Sequence, residues 1–467
     1  MKIYFIGIGG TAMGNVAVLL KKLGHDICGS DLTLYQPMAG LLNEHKIDIY
    51  DSFSAARLEA INPTAVIVGN AIARGNEEVE WLLATKKIPY YSLPEFIHRE
   101  IMKKRQSIVL TGTHGKTTTT ALTTFLLKNN GLNPGHMIGG VPIDFSYGSA
   151  LGNENDPFVI EGDEYDSAFF DKRSKFIHYA PDILVIGNLE FDHGDIFRDL
   201  EDIKRSFNHL LKIIPSNGYV IANGDDLNIR SMFPLAWINP IFVGENDDND
   251  YLLKHFSTSE NFTSFDIIEK ISGKKIHIIS GLFGKYNARN ALMAIIASGI
   301  ALSGNPLDVD VSCLQRFKGI KKRQEVLLSN ANLMVIDDFA HHPTAIKATL
   351  ECLRQKYPGR RLIACFEPRS NTACTNAFQN EFVDAFAGAD AVFIANAFKT
   401  RETTLDTPKL AENLVKIGID AKASSSEEIL YALEKMKFKE ATTLAFLSNG
   451  SFGNIAKKFV KNFTQHN

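Results

Sequence analysis

The sequence predicts an α/β protein of three successive domains, each built on a mostly parallel sheet. Three observations lead there. The chain has 467 residues, about three times the length of an ordinary domain. Short apolar runs that read as buried strands alternate with helical stretches, the pattern of parallel sheets covered by helices. Two of those strands run into glycine-rich turns that open helices, where such sheets receive anionic ligands.

The first block, residues 1–106, opens with the strand IYFIGIG and the helix MGNVAVLLKKLG, followed by the strand-like HDICGSD. AVIVGNA reads as a further buried strand, and the charged REIMKKRQ as the exit from the block. The second block, 107–325, starts at SIVLTGTHGKTT and carries the strands FVIEGDE, ILVIGNLEFD and YVIANGDD. Residues 245–280 read as a β-rich excursion, closed by the helix KYNARNALMAIIASGIAL. The third block, 326–467, runs through LMVIDDFAHHP, RLIACFEPRS, AVFIANAF and LAFLSNGSFG, again strands separated by helices. The first and third blocks read as Rossmann-like, the second as a phosphate-loop nucleotide domain.

Composition narrows the function classes. A hydrophobic content of 45% suffices for proper cores, and a net charge of −3 gives no broad electrostatic case for nucleic acid or an anionic membrane. The five cysteines form no CxxC pair, so neither a disulfide framework nor a zinc ribbon is indicated. No stretch has the length of a signal-peptide core or a membrane span. The expectation is a soluble cytoplasmic protein, with monomer and homodimer both open.

In the central turn, Gly112-Thr113-His114-Gly115-Lys116-Thr117-Thr118 lies between a strand and a helix. Backbone N–H groups and the helix N-terminus would face phosphate oxygens. Lys116 would span the terminal phosphates, and the Thr117 hydroxyl would ligate magnesium. The spacing is two residues shorter than the G-x-x-x-x-G-K-[ST] pattern. The first turn, Gly7-Ile-Gly9-Gly10-Thr11-Ala12, matches G-x-G-x-x-[GA], with Asp31 after the next strand. By itself it fits a nicotinamide dinucleotide enzyme. The physics demands only a diphosphate at a helix N-terminus, which a UDP-sugar also supplies. Two such turns imply two phosphorylated ligands.

Glu161 and Asp163 end one strand, and Asp192 and His193 follow another, so both sets converge at the carboxyl edge of the sheet near the phosphate loop. Oxygen ligands and an imidazole beside ATP suit magnesium. NGDD, 223–226, reads as a turn. Asn287 and Asn290 share a helical face, and asparagine can read a purine edge. Arg323 is a candidate for γ-phosphate charge. Asp338 could hold a ribose. The spacing of His341 and His342 does not suggest zinc, since there is neither HExxH nor a cysteine partner.

GIGGTAMG, TGTHGKTT, EGDEYD, NLEFDHGD, NARNA and DDFAHHP, in this order, resemble the Mur ligases, the ATP-dependent amide-bond ligases of peptidoglycan precursor synthesis. The resemblance covers nearly the whole chain. Within the family, GNAIARGN, IGGVP, DSAFFDKRSKFIHY, FEPRSNT and SNGSFG look like the subgroup that attaches a murein tripeptide, rather than the one that adds L-alanine. The resemblance implies a UDP-sugar domain, an ATPase domain and a C-terminal domain that brings the amine, with ATP and Mg2+ as cofactors. It implies that Gly7, Gly9, Gly10, Thr11, Asp31 and Asn70 bind UDP-N-acetylmuramate, and that Lys116 holds phosphate. Thr117, Glu161 and His193 would hold magnesium, Asn287 and Asn290 would meet adenine, and Asp338 the ribose. Arg323 and His341 would lie near the phosphates. Arg369 and Asn371 are candidates for the tripeptide carboxylates, with Lys172 and Arg173 facing that peptide or the muramyl group. Tyr286 stands where the family motif has histidine, and the carbamylated lysine of some members has no identifiable counterpart.

Overall fold

The computed structural model describes residues 1–259, 261–397 and 404–466. Its first sheet has five parallel strands in the order Asp48–Tyr50, Asp26–Ser30, Lys2–Ile6, Ala65–Val68, Tyr90–Ser92. Chain order reverses at Lys2–Ile6, so the crevice beyond its carboxyl end opens at the Gly7 turn. These strands are buried on both faces, which is why they read as unbroken apolar runs.

The second sheet has ten strands. Ser107–Thr111 lies between Phe158–Glu161 and Ile183–Ile186, parallel to both. That pairing brings the phosphate loop, the Glu161 strand end and the 187–195 loop to one edge. The expected β-rich excursion is an antiparallel extension, Tyr251–Thr258, Thr263–Glu269 and Lys275–Ser280, at the far end of this sheet. NGDD is a turn: Asp226 caps the helix Leu227–Arg230, and Asp225 accepts the N–H groups of Glu245 and Asn246.

Helix Lys116–Asn129 carries four successive threonines, which propensity alone would disfavour. The hydroxyls of the last two turn back along the helix. Thr119 donates to the Gly115 carbonyl at 3.0 Å and Thr120 to that of Lys116 at 2.8 Å, with Thr123 and Thr124 continuing the series. Each of these four hydroxyls is thereby satisfied, and the helix packs along Lys285–Ser303.

The third sheet pairs Glu325–Ser329 antiparallel to Leu333–Asp338, then continues in parallel through Thr442–Leu447, Arg361–Phe366, Ala391–Ala395 and Asp420–Ser424. Phe398, the last residue of AVFIANAF, lies outside the described residues. One hydrophobic cluster runs without a break from the first sheet into the second. The third sheet has its own clusters on its two faces. All five cysteines are free and buried. Among the described residues no helix is long and apolar enough to cross a membrane.

Candidate active site

The central turn needs its glycines. Gly112 and Gly115 have φ of +129° and +83°. A Cβ on Gly115 would sit 2.6 Å from Asn290 Oδ1, and one on Gly112 2.9 Å from the Asn188 nitrogen. Lys116 begins the helix, partly buried, its Nζ donating to the Gly112 carbonyl at 2.7 Å and to Glu164 Oε2 at 2.9 Å. Burial works against the ammonium, but Glu164, Asp163 and Glu161 outweigh it and hold its pKa above the ordinary lysine value.

His193 follows the strand Ile183–Ile186 in a left-handed conformation, φ +57°. Its Nε2 lies 2.9 Å from Glu164 Oε1. Burial lowers its affinity for a proton, and the Glu164 carboxylate more than restores it. Glu164 therefore holds both Lys116 and His193. Sequence reasoning missed it, although it stands within the EGDE run, three residues past the strand-end Glu161 and next to Asp163. Glu161 itself faces the Thr117 hydroxyl and the Gly139 N–H, and burial raises its pKa. Its Oε1 is buried without a protein partner.

A cavity of about 250 Å³ adjoins this loop, lined by His114, Gly115, Thr118, Asn287, Asn290, Arg323 and Asp338, among others. Asn290 Nδ2 donates to Asn287 Oδ1 at 3.2 Å. The Arg323 guanidinium lies over the Phe339 ring at 4.4 Å. Asp338 is buried and accepts the N–H groups of Gln324 at 2.7 Å and Ala340 at 2.8 Å, so its carboxylate first fastens its own loop. His341 bonds through Nδ1 to the Phe339 carbonyl at 2.9 Å. Burial pushes its pKa down to about 4, which keeps the imidazole neutral. The Tyr286 hydroxyl meets the Gln324 side-chain amide at this cavity.

A larger cavity, about 600 Å³, begins at Gly7, Gly9, Gly10, Thr11, Asp31 and Asn70 and reaches Glu161, Asp163 and Lys175 of the central unit. Asp31 accepts the Gly9 N–H at 2.8 Å and so stiffens the turn. Lys172 and Arg173 do not line this cavity. They sit on the exposed hairpin of Asp166–Ala168 and Asp171–Ser174, where Lys172 pairs with Asp166 at 2.5 Å and Arg173 with Asp171 at 2.8 Å. Each charge is held by an acid of its own hairpin. Lys175, just beyond, is the cation facing the cavity, with Nζ 2.6 Å from Asp163.

In the third unit Arg369 packs so closely on Gly450 that a Cβ there would lie 2.1 Å from its Cδ. Its guanidinium is 3.6 Å from buried Glu367, which also takes the Ser448 hydroxyl and the Phe452 N–H. Asn371 donates to Asp195 at 2.9 Å, and the Gly194 N–H donates to Thr372 at 3.3 Å. With Thr344 donating to Glu190 at 2.7 Å, these bonds seat the third unit on the 190–195 loop.

Three family profiles match in succession: the Mur ligase family catalytic domain over residues 2–105, the Mur ligase middle domain over 110–298, and the Mur ligase glutamate ligase domain over 322–447. The chain belongs to the Mur ligase family. This Mur ligase is 38% identical to the UDP-N-acetylmuramate–L-alanyl-γ-D-glutamyl-meso-2,6-diaminoheptandioate ligase of Escherichia coli, over 98% of each chain. It is 32% identical to the UDP-N-acetylmuramate–L-alanine ligase of Clostridium acetobutylicum, over 98% of this chain and 97% of that one. The crystal structure of a murein peptide ligase from Psychrobacter arcticus superposes with a TM-score of 0.71 at 32% identity, over 99% and 98% of the two chains. As a member, the chain is an ATP-dependent enzyme that forms a C–N amide bond.

Proposed function

We propose that this Mur ligase joins the lactyl carboxylate of UDP-N-acetylmuramate to the amine of L-alanyl-γ-D-glutamyl-meso-diaminopimelate, in the cytoplasm, as a step of peptidoglycan recycling. The observation that carries this reading is the full-length match to a tripeptide ligase at 38% identity, against 32% for an L-alanine ligase. In this reading residues 1–106 bind the UDP-sugar, 107–325 bind ATP, and 326–467 bring the peptide.

A carboxylate is a poor electrophile. Phosphoryl transfer from ATP gives an acyl phosphate, which the peptide amine attacks, and the tetrahedral intermediate collapses to amide and phosphate. The protein's task is positioning and charge stabilisation. The large cavity runs from the glycine turn to Glu161, so a UDP-sugar anchored at Gly7, Gly9 and Gly10 would carry its lactyl group toward the phosphate loop. Lys116 would exchange Glu164 for the γ-phosphate, and Arg323 would approach the same charge from the nucleotide cavity. Neutral His341 would present a lone pair, not a cation. Arg369, splinted by Glu367, would meet a peptide carboxylate.

Magnesium fits the residues present. Glu161 faces the Thr117 hydroxyl, a pair of hard oxygen donors, and its Oε1 has no protein partner. Bound there, with His193 nearby, the ion would supply neutralisation of phosphate charge.

The test is phosphate release from Mg-ATP and UDP-N-acetylmuramate with either L-alanine or the tripeptide, followed by mass spectrometry. A UDP-muramyl-tripeptide formed only with the tripeptide supports the reading. Preference for L-alanine moves the enzyme to de novo synthesis. The Arg369→Ala variant is expected to raise KM for tripeptide about tenfold, the loss of one charged hydrogen bond. An unchanged KM removes Arg369 from the site.

A further inference from the structure

We infer that His114, Glu190 and His342 form a binding site for a transition-metal ion of the zinc class, separate from the oxygen-rich magnesium site, which clasps the third unit to the phosphate loop. One ring nitrogen of each histidine and a Glu190 carboxylate oxygen lie within 4.8 Å of one another. His114 Nε2 and His342 Nδ1 are each 3.6 Å from Glu190 Oε2. That is too long for a hydrogen bond. It is the separation expected along a tetrahedron edge, since bonds of about 2.0–2.2 Å put ligand atoms about 3.3–3.6 Å apart.

His114 Nε2, the ring nitrogen facing Glu190, is buried without a hydrogen-bond partner. His342 is 6% exposed, so an ion there is shielded from water.

Each ligand is held by its backbone. Asn188 brackets His114, accepting its N–H at 2.7 Å and donating to its carbonyl at 3.0 Å. The Thr113 hydroxyl accepts the Glu190 N–H at 2.9 Å. Such outer contacts fix the direction of metal ligands. His342 is the N-cap of helix Pro343–Lys356, and its Nδ1 would exchange the 3.4 Å contact from the Thr344 N–H for the ion.

The three ligands come from the phosphate loop, the 187–195 loop and the third sheet. That is why no short motif betrays them. Imidazole donors favour zinc or cobalt over magnesium. A bound ion leaves a fourth position toward the nucleotide cavity, which His114 and Glu190 line. It also ties the third unit to the central one, so occupancy slows any step that needs the two to part.

The test is Co2+ titration of the full-length protein in excess Mg2+, which keeps the oxygen site filled. The expected result is one equivalent of cobalt with the visible absorption of a four-coordinate ion, displaced by Zn2+. His342→Asn retains a residue that caps helices well, and Glu190→Gln retains shape and the Thr344 hydrogen bond. Each is expected to weaken cobalt binding at least about tenfold, the cost of an altered ligand shell. No such absorption in the parent protein, or undiminished absorption in either variant, overturns the inference.

Discussion

The two glycine turns look alike in the sequence and differ in what they have already done with their charges. The Gly7 turn opens onto the larger cavity and offers backbone, with Asp31 holding one N–H in place. The Gly112 turn is folded onto its own lysine, and Lys116 and His193 both bond to buried Glu164. The first turn can accept a diphosphate with little rearrangement. The second, in the proposed function, would surrender an internal carboxylate on binding phosphate. Binding needs only a shaped surface, whereas phosphoryl transfer needs a cation kept dry and compensated until it is used.

The largest effect that could break this comparison comes from Lys116→Ala. Amine-dependent phosphate release is expected to fall about 1000-fold, the cost of removing a preorganised charge. UDP-N-acetylmuramate affinity, read by calorimetry, should stay within about twofold, as for independent sites. Loss of both would mean that the turns act as one site.

Glu164→Gln is next. Removing one partner of a buried pair costs about 3 kcal/mol, so the ligand-free melting temperature should drop. ADP should then stabilise the variant by more than it stabilises the parent, because phosphate becomes the principal anion for Lys116. An equal ADP shift in both proteins would remove Glu164 as the internal stand-in for phosphate.

A matched pair sharpens the contrast. Gly115→Ala forces a Cβ against Asn290 at positive φ, and Gly9→Ala forces one to 2.8 Å from Asp31 Oδ2. The first should weaken ADP about 30-fold and spare UDP, and the second the reverse, each reflecting about 2 kcal/mol of strain. Equilibrium dialysis with each nucleotide reads both.

The smallest effect is acid sensitivity in the wall of the first cavity. His136, beside Met137 and Gly139, is buried, and desolvation together with Lys128 pushes its pKa down to about 4. An unfolded histidine titrates near 6.5. The folded state therefore excludes a proton that the unfolded state takes up below that pH. The stability from this residue is present above 6.5 and is lost as pH falls toward 4, about 1–2 kcal/mol between pH 7 and pH 5. His136→Gln should flatten that slope in a melting series.

The strands, both turns and the three-unit plan were legible because each rests on local signals: apolar runs, glycines before helices, and alternation of element types. Asn287 and Asn290 were legible for the same reason, being three apart on one helix. The long threonine run was legible as a helix only through its phosphate loop, since its propensity points elsewhere. Glu164 and Glu190 were not legible as partners of the site. Their importance comes from residues distant in sequence, Lys116 and His193 for one, His114 and His342 for the other. Lys172 and Arg173 were chosen on charge, and charge alone does not say which acid will claim it.

The cysteines carry a practical consequence. All are interior, and burial pushes the thiols of Cys28, Cys313 and Cys352 up to about 11, so little thiolate exists at neutral pH. The folded surface is chemically silent toward maleimides and mild oxidants. Two cysteines introduced on opposite sides of the seam at residues 190–195 would be the only reactive thiols. A dye pair placed there would report any change in the distance between the third unit and the central one during turnover.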